Sequence, residues 1–216
     1  MNKQYILFDL DGTLTDPKIG ITKSVCYALE KFGIVVDDSD SLNRFIGPPL
    51  VDSFIEFYGF DLEKANLAVE KYREYFAERG LYENYVYDGI ESLLSTLKSN
   101  HKMLIVATSK PIVFAIKILE HYHLLEYFDF VAGSELDGTR VEKVDVISYA
   151  MKQCNITDNE SVIMVGDRKH DIIGANKVGI ESIGVLYGYG SQEEFELAGA
   201  NYIVSNITEL EALLLK

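Results

Sequence analysis

The chain alternates short apolar runs with longer segments of helical spacing. Each run ends in turn-forming residues, which is typical of a parallel strand buried on both faces. Between the later runs, apolar residues recur every three or four positions, as they do on one face of a helix. This alternation predicts an α/β fold with a Rossmann-like, doubly wound parallel sheet as its core. The predicted strands cover residues 5–8, 103–107, 128–132, 161–165, 182–186 and 202–204.

A long insertion separates the first two predicted strands. About ninety residues lie between them, far more than a crossover connection needs. Helical spacing runs through most of this stretch, with Ile21, Val25 and Leu29 in one apolar stripe and Val69 and Phe76 in another. The pattern predicts an α-helical domain over residues 16–85, inserted into a core formed by residues 1–15 and 86–216.

Composition and charge narrow the classes of partner. The chain has 216 residues, 48% of them hydrophobic, and a formal net charge of -14. Such an acidic chain is repelled by polyanions, so neither nucleic acid nor an anionic membrane is an expected partner. The sequence shows no signal peptide and no stretch of about 20 apolar residues that would span a bilayer. We therefore expect a cytoplasmic protein.

The first candidate site is the run Asp9-Leu10-Asp11-Gly12-Thr13, at the end of the first predicted strand. In an extended chain, residues i and i+2 point the same way, so Asp9 and Asp11 can face one site. Two adjacent carboxylates repel unless a cation lies between them or one holds a proton. Mg²⁺ prefers such oxygen ligands together with a substrate phosphate. The alternative is an acidic turn without a ligand.

A second acidic motif, Gly166-Asp167-Arg168-Lys169-His170-Asp171, follows the fourth predicted strand. Residues four apart at the start of a helix lie one above the other, so Asp167 and Asp171 can face the same cation. Simple capping of the helix by Asp167 is the alternative.

Two further segments carry groups that suit a phosphate. Thr108 and Ser109 end the second predicted strand, where a hydroxyl and backbone amides can bind phosphoryl oxygens. Lys143 begins a helical segment, and its ammonium can neutralise a phosphoryl group. Each is weak alone, because Thr108 could cap a helix and most lysines are solvated.

Taken in order, these motifs resemble those of the haloacid dehalogenase superfamily. Its members carry Asp-x-Asp-x-Thr, then a threonine or serine, then a lysine, then Gly-Asp-x-x-x-Asp. The resemblance covers essentially the whole chain, including the insertion, which looks like the cap domain of one branch. One departure is Val144, since many relatives have proline after the lysine.

The resemblance implies a Mg²⁺-dependent phosphomonoesterase. Asp9 would attack phosphorus, and Asp11 would protonate the leaving group and then activate water. The implied contacts with the phosphoryl oxygens involve Thr108, Lys143 and Ser109, and substrate contacts are also expected from Gly12 and Thr13. The metal set would be Asp9, Asp11 through its backbone carbonyl, Asp167 and Asp171, the last orienting the water shell or Lys143.

The motif Gly166–Ile172 and the later Leu186-Tyr187-Gly188-Tyr189-Gly190 resemble the phosphoglycolate phosphatase-like or 5'-nucleotidase-like branch. The expected substrate is therefore a small phosphorylated metabolite, phosphoglycolate or a nucleoside monophosphate. In the inserted domain, Arg44 could contact a second anionic group and Phe45 could stack on a base, with ordinary packing as the alternative for both. A phosphomutase and a non-catalytic phospho-receiver module remain alternatives, and either a monomer or a homodimer is compatible with the sequence.

Overall fold

The computed structural model describes residues 3–216, and a six-stranded parallel sheet is its central feature. The strands in this range are β1 (Tyr5–Phe8), β2 (Thr15–Asp16), β3 (Tyr85–Val86), β4 (Met103–Pro111), β5 (Phe130–Ser134), β6 (Val162–Gly166), β7 (Glu181–Val185) and β8 (Tyr202–Val204). The strand order is β5-β4-β1-β6-β7-β8, while β2 and β3 form a separate two-stranded sheet. The order steps outward in both directions from β1, which is the doubly wound pattern.

Helices connect the strands in chain order. They are α1 (Lys18–Glu30), α2 (Leu50–Tyr58), α3 (Leu62–Glu78), α4 (Ile90–Ser99), α5 (Ile112–His121), α6 (Lys143–Gln153), α7 (Lys169–Val178), α8 (Gln192–Ala198) and α9 (Ile207–Leu214), with short 3-10 turns at Ser39–Phe45, Gly80–Tyr82, Leu125–Tyr127 and Asn159–Ser161. No helix of the described chain is long and apolar enough to cross a membrane.

The position of β1 brings the site-bearing segments together. Strand β1 lies between β4 and β6, with Phe8 opposite Val106 on one side and Val165 on the other. The carboxyl ends of these three parallel strands therefore meet at one edge of the sheet. Ligands of open α/β sheets bind at this edge, where the direction of winding reverses.

The sheet is buried on both faces, which explains why its strands read as unbroken apolar runs. Helices α6 and α7 cover one face through a cluster that includes Leu7 and Ile105 from the strands and Val146 and Ala175 from the helices. Residues pointing to the opposite face, such as Ile6, are fully buried as well. The structure confirms the predicted α/β class with a parallel sheet.

The largest difference from the predicted strand boundaries is at the end of β4. Strand β4 runs to Pro111, four residues beyond its predicted end, and its pairing with β5 shifts register between Ala107 and Pro111. Such an irregularity turns side chains away from the regular alternation of a strand. It places Thr108 within β4, before the strand ends at Pro111, whereas the sequence predicted Thr108 at the strand end.

The described chain divides into two compact units. One contains the chain up to Asp16 and from Val86 onward, and the other is Pro17–Tyr85. The second unit is helical, and Gly20 of α1 packs against Gly80, in the 3-10 turn that follows α3. A Cβ on Gly20 would lie 2.1 Å from the carbonyl oxygen of Gly80, so only glycine allows this close approach.

Candidate active site

The site begins where β1 ends. The backbone N–H of Asp9 donates to the carbonyl of Val165 (2.9 Å), which extends the strand pairing by one residue. The chain then turns at Gly12, whose φ is 80° and whose N–H donates to the carbonyl of Thr15 (2.7 Å). A Cβ on Gly12 would lie 2.0 Å from Oδ2 of Asp167. Glycine is therefore required by both the backbone conformation and the carboxylate packed against it.

Three buried carboxylates converge at this edge of the sheet. Asp9 follows β1, Asp167 follows β6, and Asp171 lies in the first turn of α7. One carboxylate oxygen from each lies within 4.8 Å of the other two. Buried carboxylates at this separation repel unless a cation or a proton compensates them.

A single lysine offsets part of this charge. Nζ of Lys143, at the start of α6, lies 2.8 Å from Oδ1 of Asp9 and 2.8 Å from Oδ1 of Asp171. The ammonium also donates a hydrogen bond to the carbonyl of Ala107 (3.0 Å). Its side chain is only 4% exposed, so the Lys143 contacts are not screened by solvent.

Within residues 3–216, Asp167 has no cationic partner of this kind. Its Oδ2 accepts a hydrogen bond from the backbone N–H of Tyr189 (2.8 Å). Its Oδ1 is buried and accepts no hydrogen bond from any residue in the range 3–216. Three carboxylates and one ammonium leave two negative charges when all are ionised. Hard oxygen ligands, an excess of negative charge and a free buried carboxylate oxygen fit a divalent cation such as Mg²⁺.

The pKa values of the buried acids reflect the same crowding. Burial, together with repulsion from Asp171 and Asp9, raises the pKa of Asp167 well above its ordinary value. Burial also raises the pKa of Asp171, although Lys143 opposes that change. For Lys143, burial lowers the pKa, but attraction to Asp171 and Asp9 outweighs it and the net shift is upward. The ammonium therefore stays charged at neutral pH.

Asp11 has a different environment from the three clustered carboxylates. Its Oδ2 lies 2.7 Å from Nζ of Lys110, at the irregular end of β4. Burial raises the pKa of Asp11, and the charge and hydrogen bond of Lys110 oppose the rise. No role was predicted for Lys110, although its position directly after Thr108 and Ser109 already placed it near the expected phosphate site. The side chain of Asp11 is not one of the three clustered carboxylates.

Comparison with known proteins identifies the family. The haloacid dehalogenase-like hydrolase family matches residues 6–185. A 5'-nucleotidase of Pseudomonas aeruginosa is 46% identical over 97% of this chain and 94% of its own length. The tyrosine-protein kinase PtkA of Mycobacterium tuberculosis is 40% identical over 87% of this chain, which spans 63% of the kinase. A crystal structure described as a predicted phosphatase from Clostridium acetobutylicum is 56% identical, with a TM-score of 0.97 over 100% of this chain and 99% of that one.

The chain belongs to the haloacid dehalogenase-like hydrolase family. The resemblance inferred from the motifs is thus confirmed, and so is the prediction that the protein is a phosphoric monoester hydrolase. The matched range begins in β1 and ends in β7, so it includes both acidic motifs and the insertion.

In this hydrolase the residues expected to contact phosphate lie at the same edge of the sheet. Thr108 is buried, and its Oγ1 accepts a hydrogen bond from the backbone N–H of Lys110 (3.2 Å). The carbonyl of Ser109 accepts a hydrogen bond from the hydroxyl of Ser134 (2.8 Å). Thr13 is fully buried, and Oγ1 of Thr13 finds no hydrogen-bond partner in residues 3–216. This hydroxyl can therefore bond to a ligand without losing an internal contact.

The alternative role for Asp167, capping of α7, does not describe the structure. Arg168 is the N-terminal cap residue of α7, and its backbone N–H donates to Oδ2 of Asp171 (3.1 Å). Asp167 thus precedes the cap and keeps its carboxylate for the acidic cluster.

The structure corrects the predicted substrate-binding role of Phe45, which lies in the helical unit. Its ring is 1% exposed and packs edge-on against Phe54 and Phe57, with centroid distances of 5.1 and 5.3 Å. Stacking of Phe45 on a substrate base is therefore wrong for this structure, and the packing alternative holds because aromatic contacts fill the interior of the small unit. Arg44 is exposed and lies over the ring of Phe57 at 4.3 Å.

Proposed function

We propose that this hydrolase is a Mg²⁺-dependent phosphatase that cleaves nucleoside monophosphates through an aspartyl-phosphate. The observation that carries the proposal is the buried group of Asp9, Asp167 and Asp171, which has one shared lysine and one carboxylate oxygen without a partner. Such an arrangement places excess negative charge beside the proposed nucleophile, and a bound divalent metal would offset it.

Asp9 and Asp167 are the residues that would hold the ion, with Asp171 fixing Lys143 behind them. When bound, Mg²⁺ would supply positive charge to the transferring phosphoryl group. Lys143 would supply a second positive charge through its contact with Asp9. Both charges lower the repulsion between the carboxylate of Asp9 and the anionic substrate.

In the first step, a carboxylate oxygen of Asp9 attacks phosphorus and the bond from phosphorus to the ester oxygen breaks. The proton on Asp11 passes to that oxygen, so the alcohol leaves neutral. Burial raises the pKa of Asp11, which favours the protonated form that this step needs. The products of the step are the alcohol, the aspartyl-phosphate and the Asp11 carboxylate.

In the second step, the Asp11 carboxylate takes a proton from water while the water oxygen attacks phosphorus. The bond between phosphorus and the Asp9 oxygen breaks, which releases phosphate and restores both acids to their starting states. Thr108, Thr13 and the amide of Ser109 would hold the phosphoryl oxygens through both steps, since preorganised donors stabilise the charge that develops there.

The substrate class rests on the relatives. The 46% identity over nearly the full length of a 5'-nucleotidase favours a nucleoside monophosphate. Phosphoglycolate is the second candidate from the sequence analysis. Relatives of one fold differ in substrate because specificity lies outside the shared motifs, so only a direct assay decides.

The test is a screen of phosphate release. Purified protein is incubated with nucleoside 5'-monophosphates, phosphoglycolate, hexose phosphates and pyrophosphate, each with Mg²⁺ and with a chelator. We expect the highest kcat/KM on a nucleoside monophosphate and no turnover with the chelator. The Asp9→Asn protein, purified in parallel, controls for contaminating phosphatases. Equal turnover with the chelator, or no release from any substrate, contradicts the proposal.

The same screen separates the other candidate activities. A phosphomutase would convert a hexose phosphate to its isomer without releasing phosphate. A phospho-receiver would take up a phosphoryl group once and show no steady turnover. Because one relative is named a tyrosine kinase, labelled phosphate retained on tyrosine is measured as well. Steady release of free phosphate would exclude all three as the main activity.

A further inference from the structure

The segment Tyr187–Gly190 follows β7, and the mechanism above gives it no role. Strand β7 is the neighbour of β6, so its carboxyl end lies beside the strand end that carries Asp167. The sequence motif Leu186-Tyr187-Gly188-Tyr189-Gly190 therefore reaches the acidic edge of the sheet.

Two glycines let this segment lie against the site. Gly188 and Gly190 have no positive φ, so backbone conformation does not require glycine there. Space does require it. A Cβ on Gly188 would lie 2.3 Å from the carbonyl oxygen of Gly12 and 2.4 Å from Cβ of Asp167. A Cβ on Gly190 would lie 2.2 Å from the carbonyl oxygen of Asp167.

Between the two glycines, the backbone of Tyr189 contacts the site directly. Its N–H donates to Oδ2 of Asp167 (2.8 Å), while Oδ1 of Asp167 has no protein partner within the described residues. A hydrogen bond to one oxygen fixes the rotation of the carboxylate. The other oxygen, Oδ1, is then left without a protein partner in the part of the chain that the structure describes and can bind a ligand.

The two tyrosine side chains fasten the segment to the turn after β1. The hydroxyl of Tyr187 donates to the carbonyl of Thr13 (3.1 Å), and the hydroxyl of Tyr189 bonds to Oδ1 of Asp16. The ring of Tyr187 also packs edge-on against Tyr87, with a centroid distance of 5.2 Å. The segment therefore contacts both acidic motifs, the one after β1 and the one after β6.

From these contacts we propose that Tyr187–Gly190 is a positioning segment, which sets the separation and orientation of Asp167 relative to Asp9 for cation binding. This inference rests on the proposed function, because it assigns the segment to the same metal site. Groups that orient a ligand commonly change metal affinity 10- to 100-fold when they are altered.

The test measures metal binding itself, with Mn²⁺ as the probe. The dissociation constant of Mn²⁺ is determined by electron paramagnetic resonance for the wild type and for Gly188→Ala, without substrate. We expect binding about 10-fold or more weaker in Gly188→Ala. The matched control is Gly33→Ala, whose positive φ of 73° makes alanine unfavourable but whose Cβ would meet nothing within 4 Å. Gly33→Ala should lose stability and keep wild-type Mn²⁺ affinity.

A second variant covers the case in which Gly188→Ala does not fold. Changing Tyr187 and Tyr189 together to phenylalanine removes both hydroxyl contacts and keeps the rings and the Tyr189 N–H. We expect Mn²⁺ binding about threefold weaker, since indirect support is lost while the direct hydrogen bond remains. The Mg²⁺ concentration needed for half-maximal turnover should rise by the same factor, with substrate KM unchanged at saturating metal.

The outcomes separate the two proposals. If the wild type does not bind Mn²⁺, the proposed function itself fails. If the wild type binds Mn²⁺ and every altered protein that folds binds it equally well, the positioning role is overturned and the proposed function stands.

Discussion

Two acidic groups lie at the same edge of the sheet, and they differ in how their charge is balanced. Asp11 has its own cation, because Lys110 lies 2.7 Å away. Asp9, Asp167 and Asp171 share Lys143, which touches only two of them. The pair of Asp11 and Lys110 is neutral when Asp11 is ionised, whereas the cluster of three carboxylates needs another cation when its acids are ionised. The difference supports the proposed roles, metal binding for the cluster and proton transfer for Asp11.

The largest effect is expected at Asp9, the carboxylate to which the proposed mechanism gives the bond-forming role. Asp9→Asn removes the nucleophile and keeps the shape of the side chain, so turnover should fall about 10⁴-fold or more. Phosphate release under saturating substrate and Mg²⁺ measures it. A variant retaining more than a tenth of wild-type turnover would place the nucleophile elsewhere.

Lys143→Met tests the shared cation. It leaves Asp9 and Asp171 buried without an ammonium, and breaking a buried pair in this way costs about 3–5 kcal/mol of unfolding free energy. Urea unfolding without metal measures the loss. Lys152→Met, on the exposed face of the same helix, is the matched control and should change stability by less than about 0.5 kcal/mol. Equal losses in the two variants would mean that Lys143 does not balance the cluster.

Lys110→Met tests the other ion pair, between Lys110 and Asp11. Only one carboxylate loses its partner, and the Asp11 side chain is 14% exposed, so we expect a smaller loss of about 2 kcal/mol. Lys117→Met, at an exposed position of α5, serves as control. A loss as large as that of Lys143→Met would remove the contrast between the two groups.

The smallest expected effect is a gain in the free energy of unfolding, in Asp167→Asn. Asp167→Asn removes a charge that has no cation, while the amide oxygen can still accept the Tyr189 N–H. The metal-free protein should gain about 1 kcal/mol at neutral pH. The wild-type penalty is complete above the raised pKa of Asp167 and absent below the ordinary pKa of 3.8, so the gain should disappear as pH falls through that interval. A destabilised Asp167→Asn protein would show that the charge is already compensated.

Much of this arrangement was predictable from sequence because it depends on local rules. Strand ends, the carboxylates two apart after β1 and the pair four apart after β6 are fixed by spacing, and parallel strands bring their carboxyl ends together. Which lysine pairs with which carboxylate was not predictable from the sequence. The partner of Asp11 depends on a register shift at the end of β4, and an irregularity of that kind leaves no periodic pattern.

The aromatic residues show a second limit of the sequence. Phe45 lies in a polar segment whose sequence resembles a loop. Its ring nevertheless packs against the rings of Phe54 and Phe57 from α2. Tyr187 and Tyr189 looked like family markers without a role, because their contacts reach Thr13 and Asp16 at the other end of the chain. Contacts between distant segments are set by the tertiary fold.

Calorimetric titration of the wild type with Mg²⁺ measures whether the cluster of Asp9, Asp167 and Asp171 binds one divalent cation. We expect one ion per chain, with the heat of binding lost in Asp167→Asn. At 100 times the dissociation constant, the bound ion should stabilise the wild type by about 2.7 kcal/mol. A wild type that binds no ion, or an Asp167→Asn protein that binds Mg²⁺ as tightly as the wild type, would contradict this expectation.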